Sequence, residues 1–124
     1  MNLCPDEAQE LLRRVDPGRI YSGWPVGLRD GALLALVAAG LSAVEIATLK
    51  ASAITMAGTR VIVTVRKKKR PNVFVLKPGQ AARVLAWLYD RRIWGAAEPV
   101  FTTSRGPLTP RGACAVVERY RSHR

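Results

Sequence analysis

Residues 39–49 read Ala39-Gly40-Leu41-Ser42-Ala43-Val44-Glu45-Ile46-Ala47-Thr48-Leu49, and this stretch decides the fold. Ser42 can accept a bond from the amide three residues on while the Glu45 carboxylate returns one to the Ser42 amide, the reciprocal capping box of a helix start. Leu41 and Ile46 occupy the flanking positions of a hydrophobic staple, and Gly40 supplies the left-handed residue that closes a preceding helix. Two helices therefore meet at a tight turn here, and the second is expected to run to about Lys50.

Upstream, Leu28 to Ala39 is apolar nearly all round after Arg29-Asp30, which predicts a helix buried in the core. Before it, Pro5 with Asp6 and Glu7 opens an amphipathic helix whose stripe is Ala8, Leu11, Leu12 and Val15. Asp16-Pro17-Gly18 stops that helix, and a loop carrying Tyr21 and Trp24 follows. Downstream, Ala53 to Met56, Arg60 to Arg66 and Val73 to Lys77 are short and β-branched, and predict three antiparallel strands. In the middle strand Val61, Val63 and Val65 share one face and Ile62, Thr64 and Arg66 the other. Its hairpin then offers Arg66-Lys67-Lys68-Lys69-Arg70 to solvent. Five consecutive cations repel one another at a bend, and a phosphate backbone would relieve that cost.

Pro78 opens a helix with Ala81, Val84, Leu85 and Leu88 on one face, expected to end near Trp94-Gly95, with Trp87 and Trp94 in the core. A strand-like Pro99-Val100-Phe101 and a polar loop from Thr102 to Leu108 come next. Thr109 caps and Pro110 begins a last helix with the stripe Ala113, Val116, Val117 and Tyr120. The class is mainly α with a small three-stranded antiparallel sheet, in a single domain over 1–124.

Charge is placed unevenly. Residues 1–62 hold six basic and six acidic side chains, whereas from residue 63 onward fourteen basic residues face only Asp90, Glu98 and Glu118. The whole net charge of +11 thus lies in one half, the footprint of a polyanion-binding surface. The longest uncharged stretch, 31–44, is 14 residues and contains two glycines, too short to span a membrane. The N-terminus has neither the basic start nor the apolar run of a signal peptide, so a soluble, cytoplasmic protein is expected. Cys4 and Cys114 are 110 positions apart with only His123 to join them at a metal, so two reduced thiols and no metal or cofactor are expected.

The order of these elements, with their motifs, resembles the catalytic domain of tyrosine recombinases, the phage integrase family. Arg29-Asp30-Gly31-Ala32-Leu33-Leu34 looks like the family's R-D-x-A-L-L opening, and residues 39–49 look like its T-G-L-R-x-x-E-L-x-x-L segment. Lys67 to Arg70 followed by Val73-Phe74-Val75-Leu76 resembles the hairpin that carries K-x-x-K-x-R before V-P-L, and the likeness continues through Phe101 to Leu108. In that family a tyrosine attacks a DNA phosphate without metal, two arginines hold the phosphate oxygens, and a hairpin lysine protonates the leaving oxygen. The resemblance places the lysine at Lys67 and the first arginine at position 42, where this chain has Ser42. Serine has no cation and no fork of donors to neutralise a phosphorane.

The family's H-x-L-R-H segment and nucleophilic tyrosine should follow the last helix, and its DNA-clamping domain should precede residue 3. The resemblance therefore implies the N-terminal part of a catalytic domain, with no catalytic set intact. Tyr120, on the apolar stripe of its helix, is not expected to be a nucleophile, nor is the Tyr120-Ser122-His123 neighbourhood expected to act as an acid-base site. The implied function is a catalytically inactive, DNA-binding protein of mobile-element origin that contacts the backbone through Arg66, Lys67, Lys68, Lys69, Arg70, Arg105 and Arg111. Two other readings are a fragment completed by a second chain, and an interaction module that modulates an intact recombinase. A helix layer left bare would favour a homodimer or such a partner.

Overall fold

Pro5 fixes the backbone at the first turn of α1 (Pro5–Leu12), and the acidic Asp6 and Glu7 lie at the positive end of its dipole. α1 buries Ala8, Leu11 and Leu12 against α2 (Val26–Ala39), which is buried along most of its length. α2 begins two residues before the expected Leu28, because Pro25 serves as its N-cap, and it ends at Gly40 with φ 114°. The computed structural model describes residues 3–65, 70–93, 95–103 and 105–122.

The turn into α3 (Ala43–Ala47) is the predicted capping box. Glu45 N–H donates to Ser42 Oγ at 3.2 Å, and Ser42 N–H donates to Glu45 Oε1 at 2.8 Å. Leu41 and Ile46 are both buried. The helix stops at Ala47 rather than near Lys50. Thr48 leaves the helical region, its hydroxyl donates back to Val44 O at 2.7 Å, and Leu49 O instead accepts from Val100 N–H at 2.9 Å. A 3₁₀ turn over Ala51–Ala53 leads into the sheet.

β1 (Ile54–Ala57), β2 (Arg60–Val65) and β3 (Asn72–Val75) form the antiparallel sheet with β2 in the middle. Val61 and Val63 are fully buried and Val65 partly so, as the alternation requires. The third strand starts one residue early and gives up Leu76 and Lys77. Lys77 N–H donates to Gln80 Oε1 at 3.0 Å and so belongs to the next helix start. α4 (Pro78–Arg91) ends before the expected Trp94-Gly95, because Arg92 adopts a left-handed conformation with φ 53°. Trp87 is in the core and donates its indole N–H to Val100 O at 2.7 Å; Trp94 lies outside the described residues.

Pro99 to Phe101 does not form the expected strand. Only Pro99 makes a bridge, to Lys50, while the segment expected to be a loop holds a small hairpin, β4 (Thr102–Thr103) with β5 (Gly106–Pro107). α5 (Pro110–Ser122) starts at the predicted cap, with Gly112 N–H donating to Thr109 Oγ1 at 3.0 Å, and it buries Ala113, Val116, Val117 and Tyr120. α5 packs on α3, α1 and α2, so the last helix closes over the first three. The larger exposed apolar side chains are Ile20, Tyr21, Val44, Met56, Val73, Val75 and Tyr89, of which Met56 and Tyr89 line one cleft with Leu85 and Ile93. No described helix is long and apolar enough to cross a membrane.

One loop lies unusually close to a helix. Gly27 N–H donates to Arg19 O at 3.0 Å, and a Cβ at position 27 would come within 2.0 Å of Asp16 O. Only glycine permits that approach. The chain then turns tightly at Tyr21–Trp24, which exchange both backbone bonds at 2.9 Å, with Ser22 and Gly23 at positive φ. Trp24 anchors this turn edge-on against Trp87, and the Arg91 guanidinium stacks over its ring.

Candidate nucleic-acid interface

The C-terminal part of α3, the segment after it and the end of β2 border a cleft of about 490 Å³. Glu45, Thr48, Leu49 and Lys50 line it from the α3 side, and Thr64 and Val65 from the sheet. Arg66, Lys67, Lys68 and Lys69, expected to contact DNA, follow Val65 directly in the sequence and lie outside the described residues. Ser42, the exposed N-cap of α3, has both its hydroxyl and its amide engaged by Glu45. Ser42 is thus a helix cap, with no charge to offer an anion.

The three remaining predicted contacts are all solvent-facing. Arg70 precedes β3, Arg105 stands at the β4–β5 turn with its amide held by Thr103 Oγ1 at 3.1 Å, and Arg111 is in the first turn of α5. Exposed guanidiniums on long stems suit backbone phosphates, which need charge and reach but no fixed pocket. Another α5 arginine is committed within the fold. Arg121 bridges Glu7 and Glu118, and these hydrogen bonds raise its pKa further.

Sequence reasoning missed a second charged cluster. Asp30 is 1% exposed and receives three side chains. Arg29 gives Nε at 3.0 Å and Nη2 at 2.9 Å to Oδ1, the Tyr120 hydroxyl donates to Oδ2 at 2.7 Å, and Arg119 Nη1 stands 3.8 Å from Oδ2. The available signal was a lone carboxylate in an apolar helix and a tyrosine on an apolar stripe, since each needs a buried partner. What sequence could not supply was that the two meet across 90 positions. Burial, then the bond to Asp30 and its charge, push the Tyr120 phenol well above its ordinary pKa, against a smaller opposite effect of Arg19 and Arg119. The phenol is thus held neutral and committed to Asp30. Ser122 is turned away, its hydroxyl donating to Glu118 O at 2.9 Å, and His123 lies outside the described residues. Cys4 and Cys114 are both free thiols, and no group of residues that could hold a metal occurs among the described residues.

No family model matches this sequence, and no curated protein matches it. Solved structures do match. The XerH site-specific recombinase, in a crystal structure bound to difH substrate as a pre-cleavage complex, superposes with a TM-score of 0.73 at 19% identity over 95% of this chain. The XerA recombinase superposes with a TM-score of 0.67 at 15% identity over the whole chain. The fold is that of part of a tyrosine recombinase. At these identities the fold is what is shared. The chain spans 35% of the length of the first recombinase and 44% of the second.

Proposed function

We propose that this chain is a recombinase-like protein of mobile-element origin that binds DNA through backbone contacts and does not cleave it. The observation that carries the reading is the coincidence of a recombinase fold with a net charge of +11 confined to the half that begins within β2. Phosphate contacts need only such a positive surface, and Arg70, Arg105 and Arg111 are free to reach outward from it. The inactive part of the reading draws on Ser42. Loss of one preorganised donor to a developing anion lowers a rate on the order of 10²–10³. In this chain the position that would donate is occupied by a helix cap.

Fluorescence anisotropy of a labelled duplex of about 30 base pairs, titrated at several salt concentrations, tests the binding. Affinity should fall steeply with salt, and the variant Lys67→Ala/Lys68→Ala/Lys69→Ala should flatten the slope by up to about three units. An unchanged slope would remove the hairpin from the interface. Incubation with a nicked duplex should trap no covalent protein–DNA adduct.

A second reading has the rest of a recombinase supplied by another chain. An adduct formed on the nicked duplex only when a second chain is added would replace the inactive reading with this one.

A further inference from the structure

We draw no further inference here: the strongest candidate, the apolar cleft of about 340 Å³ between the edge strand β1 and α4, lined by Ile54, Met56, Leu85, Leu88 and Ile93, is an apolar face that nothing in the structure shows what covers.

Discussion

Asp30 and Glu45 are both buried carboxylates on neighbouring helices, and the fold uses them in opposite ways. Glu45 returns a bond to the backbone three residues before it, within a single turn. Asp30 gathers a neighbour in sequence, Arg29, with Tyr120 and Arg119 from the other end of the chain. The first carboxylate starts a helix; the second ties α2 to α5. A local motif carries its partner in its own sequence, while a tertiary one does not.

The largest test of this contrast is Asp30→Asn. It leaves Arg29 without its counter-charge and should cost about 3 kcal/mol, the lower end for breaking a buried pair because Arg119 is half-exposed. Urea denaturation should show a lower midpoint with an unchanged slope. Tyr120→Phe removes only the hydroxyl bond to Asp30 and should cost about 2 kcal/mol by the same measurement. The pH dependence has a definite sign. The folded-state pKa of Tyr120 lies above its unfolded value of about 10, so its contribution is fully present below that value and declines as pH rises beyond it. Wild-type stability should therefore fall more steeply above pH 10 than that of Tyr120→Phe. Ser42→Ala deletes the local cap and should cost about 1 kcal/mol, less than either change at the tertiary cluster. If it costs more than Asp30→Asn, the ranking of the two carboxylates is reversed.

Legibility followed the same division. The capping box, the Gly40 closure, the start of α5 at Thr109 and the β2 alternation were all readable, because each is settled by residues within a few positions of one another. Helix and strand ends were less so. α3 stops early because Leu49 bonds to Val100, and α4 because Arg92 turns left-handed, neither of which has a local signature. The hairpin of β4 and β5 hides among polar residues that read as a loop. Of the basic residues expected to contact DNA, the exposure of Arg70, Arg105 and Arg111 was legible because lone cations are seldom buried. The shared cleft of Arg19, Arg29 and Arg119 was not legible, since they come from three separate segments of the chain.

The glycines of the chain differ widely in how much change they would tolerate. Gly79 has no atom within 4 Å of where a Cβ would sit, so Gly79→Ala should be accepted and add about 0.5 kcal/mol by restricting the unfolded chain. Gly27 stands at the other extreme, since any side chain there meets the Asp16 carbonyl before it meets anything that can yield. In a library of random variants, position 27 should return glycine alone. The arginine borne by the loop above it, and with it whatever chemistry that arginine serves, then depends on a residue with no functional group of its own.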